Sequence, residues 1–283
     1  MSDYIERNAV FTHFEVGESW AILSPIEQSI KRKIEAVGKP LKDWDVRINY
    51  GIKTGFNDAF IINGQKKDEL IAKDPKSAEI IRPILRGRDI KRYGYNFGAL
   101  WIIATFPSRN YDIDKYPAVK EHLLSFGMER LEQTGKTYII NGKKVKARKK
   151  TNNKWFETQD SIGYWEDFNK QKIAWGNLCL EPQFALIEEG FFISAPAPLI
   201  VPGNEYLLTI LNSKLADFYL RTQGVSRNGG YFEYKPMFIE KIPIVANNNL
   251  KLDTVYRNND NIICKLYSLN DDETSYIINK KFK

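Results

Sequence analysis

Cysteine and histidine are scarce: the 283 residues hold Cys179 and Cys264, His13 and His122. The cysteines lie far apart with no CxxC pair, and neither histidine belongs to a cluster with ligand spacing. No structural zinc is expected, and a reducing compartment, the cytoplasm, fits best. No apolar stretch approaches the roughly 20 residues that cross a bilayer, and Met1 to Arg7 shows no basic region leading into an apolar run. Neither secretion nor a membrane partner is expected. Catalytic signatures are missing too. There is no phosphate-cradling Gly-x-x-x-x-Gly-Lys-Ser/Thr loop, no Gly-x-Ser-x-Gly elbow, no His-Glu-x-x-His pair and no Pro-Asp dipeptide opening a metal-dependent nuclease motif. Glu157, Asp160, Glu166 and Asp167 read as surface carboxylates or hydrogen-bond partners, and no residue is assigned a catalytic or metal-binding role.

What the chain does contain is positive charge and large side chains. Lys and Arg exceed Asp and Glu to give a formal +7, and 43% of the residues are hydrophobic and 13% aromatic. Such a chain folds, and its charge favours a polyanionic partner. The excess concentrates after Tyr138-Ile139-Ile140-Asn141-Gly142-Lys143-Lys144-Val145, where Asn-Gly signals a type I′ hairpin. Lys146, Arg148, Lys149, Lys150 and Lys154 follow, with no acidic residue from Lys143 to Lys154. A like-charge block of this kind is either a solvated loop or a phosphate-facing arm. Trp155, Tyr164 and Trp165 stand close behind it.

Periodicity predicts a mixture of helices and strands. Ser24-Pro25-Ile26-Glu27 has the residues of a capped helix start, Ile26, Ile30, Ile34 and Val37 follow at helical spacing, and Gly38 with Pro40 ends the run. Trp44 to Tyr50 and Ala59 to Ile62 read as a strand pair around a turn bearing Gly51 and Gly55, a backbone that must come close to something. Asp74-Pro75 opens a helix that Pro83 interrupts, which leaves Arg86 to Arg92 as a basic loop. Further strands are expected at Leu100 to Thr105, Lys172 to Gly176, Leu199 to Val201 and Phe238 to Val245, with a hairpin from Phe184 to Ser194. A helix near Pro117 carries Val119, Leu123 and Phe126, and Leu131 lies beyond a break at Gly127. Asn204 caps one helix through Leu207, Leu211, Leu215 and Phe218, before a glycine-rich loop from Gln223 to Tyr231. The expected organisation is a lead at 1–19, one domain over 20–246, an asparagine-rich linker at 247–261 and a helical segment over 262–283.

The order of these motifs resembles the TaqI-like target-recognition domain at the C-terminus of type IIG restriction-modification enzymes and DNA adenine-N6 methyltransferases. The resemblance is carried by Gly51-Ile52-Lys53-Thr54-Gly55-Phe56-Asn57-Asp58-Ala59-Phe60 and by Ile81-Arg82-Pro83-Ile84-Leu85-Arg86-Gly87-Arg88-Asp89-Ile90-Lys91-Arg92-Tyr93. Tyr116-Pro117-Ala118-Val119, Lys172-Ile173-Ala174-Trp175, Leu211-Asn212-Ser213-Lys214-Leu215, Lys241-Ile242-Pro243-Ile244 and the tail Leu266 to Glu273 extend it. It implies an α+β module of mixed sheets and packed helices, with a small C-terminal helical appendage, that reads a short duplex sequence. The family's Asn/Asp-Pro-Pro-Tyr/Phe signature is missing, since no Pro-Pro occurs. The expected chain is therefore a recognition part, not itself an enzyme. S-adenosylmethionine and Mg²⁺ would belong to a partner methyltransferase, or nuclease, domain or subunit.

Candidate DNA contacts follow. Lys143, Lys144, Lys146, Arg148, Lys149 and Lys150 suit phosphates; Asn57, Arg86, Arg88, Gln223, Arg227 and Asn228 suit base edges. Lys53, Thr54, Arg92, Trp155 and Tyr231 complete the set. Two other readings stand beside this one. The chain could be a scaffold that docks on a catalytic subunit and touches DNA nonspecifically, or a single-strand or RNA binder that stacks bases on tryptophan.

Overall fold

Leu100-Trp101-Ile102-Ile103 is an unbroken apolar run, the pattern of a strand covered on both faces. A computed structural model of the protein has a strand at Leu100–Ile103. The structure describes residues 22–224, 227–246 and 260–281, and the fold is α+β. The chain forms two compact units, one from residues 49–176 and 185–203 and the other from 1–48, 177–184 and 204–283.

In the first unit, strands Phe192–Ile193, Ile81–Leu85, Leu100–Ile103 and Ile61–Asn63 lie side by side in that order. The first pair is parallel and the others are antiparallel, with Arg82 opposite Ile102 and Ile61 opposite Ile102 on its other side. Neighbouring residues point to opposite faces. Ile102 joins a core with Ile84, Phe106, Phe168 and Phe192, whereas Ile103 joins one with Ile62, Leu70, Val119, Leu123 and Leu131. The helices Gly64–Lys73, Pro117–Leu124 and Met128–Leu131 supply the second core. Lys172–Trp175 and Pro198–Val201, all buried, are the antiparallel inner strands of a second four-stranded sheet.

Several expectations need correction here. Ala59 and Phe60 belong to a helical turn, Asn57–Phe60, and Ile61–Asn63 pairs with Leu100–Ile103 instead of with the strand Arg47–Tyr50. Gly51 does come close to something, but it is the protein's own backbone. Its N–H donates to Ala197 O at 2.8 Å, and a Cβ there would sit 2.5 Å from the Ser194 carbonyl carbon. Asp74 caps only the short 3₁₀ turn Pro75–Glu79, and Pro83 lies inside a strand. That strand tolerates it because Phe192–Ile193 reaches only Ile84 and Leu85, so no ladder bond is asked of Pro83 on that side. The helix Gly64–Lys73, capped by Asn63 accepting from Lys66 N, was not foreseen. Phe184 to Ser194 is not a hairpin, since Phe192–Ile193 pairs with Ile81–Leu85. Arg86 to Arg92 is structured, with a 3₁₀ turn at Gly87–Asp89 and a two-residue pair in which Ile90 faces Tyr95.

The second unit is mainly helical. Pro25–Val37 starts as its sequence suggests, with Ser24 N donating to Glu27 Oε2 at 2.8 Å, and buries Ile30 and Ile34. The expected single helix from Asn204 is two, Glu205–Leu211 and Lys214–Gln223. Asn212 breaks it by exchanging bonds with Phe184 N and O (3.0 and 2.9 Å), and Ser213 caps the second part. Phe238 and Ile239 end a short helix, so only Pro243–Ile244 remains of the final strand, paired with Lys39–Pro40. The helices Asp260–Leu266 and Asp271–Asn279 belong to this unit, tied by Lys214 N to Asp260 Oδ1 (2.8 Å) and by Tyr267 Oη to Pro243 O (2.6 Å). The expected lead at 1–19 lies outside the described residues, as do positions 247–259 of the expected linker.

Candidate nucleic-acid interface

The basic run after Tyr138 divides into two fates. Thr137–Ile140 and Lys143–Lys146 form an antiparallel hairpin in full register, with Asn141 and Gly142 at φ 49° and 74°, the turn that Asn-Gly suits. Lys143, Lys144, Lys146, Lys149 and Lys150 are exposed. Their side chains have no hydrogen-bonding or ion-pair partner among the described residues.

Arg148 behaves otherwise, and its assignment to phosphate is corrected. It is 2% exposed, and its guanidinium donates to four main-chain carbonyls: Leu131 O (2.8 Å), Thr54 O (2.9 Å), Glu157 O (2.7 Å) and Trp155 O (2.6 Å). Planar forked donors suit several carbonyls at once, which an ammonium could not reach. Burial, with a contribution from Arg130, pulls its pKa down to about 10. Arg148 thus pins the 54 segment, the 155–157 segment and the helix end at Leu131 to the root of the hairpin. The root itself is bonded by Gly135 N to Arg148 O (2.8 Å) and Ala147 N to Lys136 O (2.9 Å).

Beside this node lies a surface depression of about 460 Å³, lined in part by Lys53, Thr54, Asn57, Arg130 and Gln159. Gln159 N and Asp160 N both donate to Lys53 O, at 3.1 and 3.2 Å. Thr54 is buried, and its hydroxyl donates to Asn57 Oδ1 at 2.6 Å, which leaves the Asn57 amide nitrogen to face outward chemistry. Gly55 holds φ +77°, and a Cβ there would crowd Arg148 Cδ and Gln159 Oε1 at 3.1 Å each. Arg130 stacks on Phe56 with 3.8 Å from guanidinium carbon to ring centre. Arg130 and Gln159 were not singled out from the sequence, because neither stands in a charge run or beside a glycine. Trp155 is half-buried against Phe156 and the core around Val119, so its ring packs more than it presents.

Arg86 is engaged within its own turn, donating from Nε and Nη2 to both oxygens of Asp89 at 2.9 and 2.7 Å. Burial raises the Asp89 pKa, but the bonds from Arg86 outweigh it and the net shift is downward. Arg88 is exposed, and the half-buried Arg92 lies 5.4 Å from the Tyr93 ring centre. Glu157 and Asp167 are buried hydrogen-bond acceptors, from Lys154 N (2.7 Å) and Asn49 Nδ2 (2.9 Å).

Gln223, Arg227, Asn228 and Tyr231 belong to the other unit. Arg227 and Asn228 are exposed, and Arg227 Nη2 lies 3.1 Å from Glu233 Oε1. Gln223 is half-buried and Tyr231 exposed; residues 225–226 lie outside the described set. Close by, Asp217 accepts from Arg221 Nε (2.9 Å) and Tyr234 Oη (2.8 Å) in the interior. Burial raises the Asp217 pKa despite these donors. Among the described residues, no three His, Cys, Asp or Glu side chains converge as a metal set, and no helix is long and apolar enough to cross a membrane.

Residues 82–244 match the TaqI-like C-terminal specificity domain, more than half of the chain, and the protein belongs to that family. No curated protein matches it. Among solved structures it is similar to the type IIL restriction-modification enzyme MmeI in complex with DNA, with 12% identity, a TM-score of 0.43 and coverage of 72% of this chain and 25% of that one. It is also similar to the type IIG restriction endonuclease BpuSI, with 14% identity, a TM-score of 0.47 and coverage of 92% and 29%. The chain thus spans less than a third of the length of either.

Proposed function

We propose that this protein reads a short double-stranded DNA sequence as the specificity domain or subunit of a restriction-modification adenine methyltransferase. The match of residues 82–244 to the TaqI-like specificity domain carries this reading. Catalysis belongs to another domain or chain, which would hold S-adenosylmethionine and, where a nuclease is present, Mg²⁺. The exposed lysines of the hairpin neutralise phosphates and release counterions, which binds DNA without regard to sequence. Discrimination comes from side chains that make two-pronged bonds to base edges, for which Arg88, Arg227 and Asn228 are exposed and Asn57 lines the depression.

The test is duplex binding by the wild-type chain and Arg227→Ala, measured across salt and against single-mismatch sites. Arg227→Ala is expected to lose about 1 to 3 kcal/mol of discrimination at one base pair. Equal binding of all duplexes by the wild type, with no preference surviving any salt concentration, would instead leave a scaffold with nonspecific DNA contact.

A further inference from the structure

In the 137–146 hairpin, residues directly opposite share a face. Thr137 faces Lys146 and Ile139 faces Lys144, so these four lie on one side of the ribbon; Tyr138 faces Val145 and Ile140 faces Lys143 on the other. The second side is turned to the body: Tyr138, Ile140 and Val145 are half-buried, and Tyr138 Oη donates to Glu132 Oε2 at 2.5 Å. Among the described residues the first side is open: Thr137, Lys144 and Lys146 are exposed and Ile139 is 76% exposed. A hairpin that packs one face places its apolar residues there and polar ones outside. Ile139 breaks that rule: a branched apolar side chain stands on the solvent face, opposite one lysine and beside another.

We infer that the Thr137/Ile139/Lys144/Lys146 face is a base-reading ribbon that enters the DNA major groove, with Ile139 against a thymine C5-methyl group. This rests on the proposed DNA-binding function and adds to it a specificity-determining residue. A two-stranded ribbon fits the major groove, about 12 Å wide, and the thymine methyl is the apolar feature displayed there. Lys144 and Lys146, without carboxylate partners among the described residues, supply the complementary charge on the same face, and Lys149 and Lys150 supply it beyond the root. The rigid base comes from Arg148, whose carbonyl and guanidinium both bond the hairpin root to the unit's interior. An isoleucine in this setting is useful where it meets a methyl group and costs hydration where it does not.

The experiment selects a preferred site for the full wild-type chain from duplexes with a randomised segment. Each thymine of that site is then replaced in turn by deoxyuridine, which removes only the C5-methyl. Binding is compared for the wild type and Ile139→Ala, with unfolding midpoints checking that both are folded. One thymine is expected at which loss of the methyl weakens the wild type about fourfold, from about 0.8 kcal/mol per buried carbon group, and leaves Ile139→Ala unchanged. A selected site at which every deoxyuridine acts alike on both proteins overturns the ribbon assignment while the proposed function stands. A uniform loss by Ile139→Ala on all duplexes, methyl or none, overturns it as well. If the wild type selects no site, the DNA-recognition reading itself fails, and the ribbon with it.

Discussion

Arg148 and Lys149 are neighbours in one basic run, yet Arg148 is sealed against four carbonyls while Lys149 stands in solvent without a partner among the described residues. The same formal charge does opposite work. One cation organises the backbone that carries the candidate contacts; the others are available to a polyanion. Charge density read along a chain therefore measures an upper limit on what an interface can use, and geometry divides it between scaffold and surface.

The sharpest way to break this division is Arg148→Met. It removes the guanidinium donor from the carbonyls of residues 54, 131 and 155, while Glu157 O keeps Gln133 Nε2 at 3.1 Å, and unsatisfied buried groups cost about 1 to 3 kcal/mol each. A loss of about 3 kcal/mol or more is expected in urea unfolding; a loss below about 1 kcal/mol would return Arg148 to the surface group. Arg148→Lys should recover little, because one ammonium cannot span the four acceptors.

Lys172 extends the comparison to a second interior cation. Its Nζ donates to Lys170 O and Glu188 O, both at 2.8 Å, and burial, only partly offset by Glu189 and Glu188, lowers its pKa to about 8. Above that value the native state has released a proton that the unfolded chain still holds. Stability from this group therefore rises as pH climbs from about 8 towards 10, at no more than about 1.4 kcal/mol per pH unit. The buried Tyr116 and the half-buried Tyr164, raised to about 12 mainly by desolvation, reverse the trend at higher pH. Urea unfolding of Lys172→Met should show the alkaline rise flattened relative to wild type.

Gly55→Ala probes the rim of the node. A side chain at φ +77° is strained by about 1 kcal/mol, with further crowding from Arg148 Cδ and Gln159 Oε1, so a lower unfolding midpoint is expected. Lys149→Ala should have the smallest effect on the fold, within about 0.5 kcal/mol, while reducing the salt slope of DNA binding by about 0.9. A slope unchanged by that substitution would remove Lys149 from the phosphate set.

Local signals carried part of the fold. Ser24 with Glu27 and Asn141 with Gly142 each set an element through residues no more than three apart, and each is formed. Val119, Leu123 and Leu131 were legible from spacing and are buried. What escaped was non-local. Pro83 sits in a strand because its partner on one side is short, Ile61–Asn63 turns away from Arg47–Tyr50 because Leu100–Ile103 competes for it, and Asn212 splits a helix to satisfy Phe184. The candidate interface followed the same rule. The exposed lysines could be read from composition, but Arg148 could not be separated from them, since its acceptors lie as far away in the chain as Thr54.

Since the side chains of Thr137, Ile139, Lys144 and Lys146 are exposed on the hairpin's outer face, they can be exchanged for others of similar strand propensity at little expected loss of stability. In this chain, new side chains on that face would alter what the hairpin presents and leave the buried contacts of its other face in place.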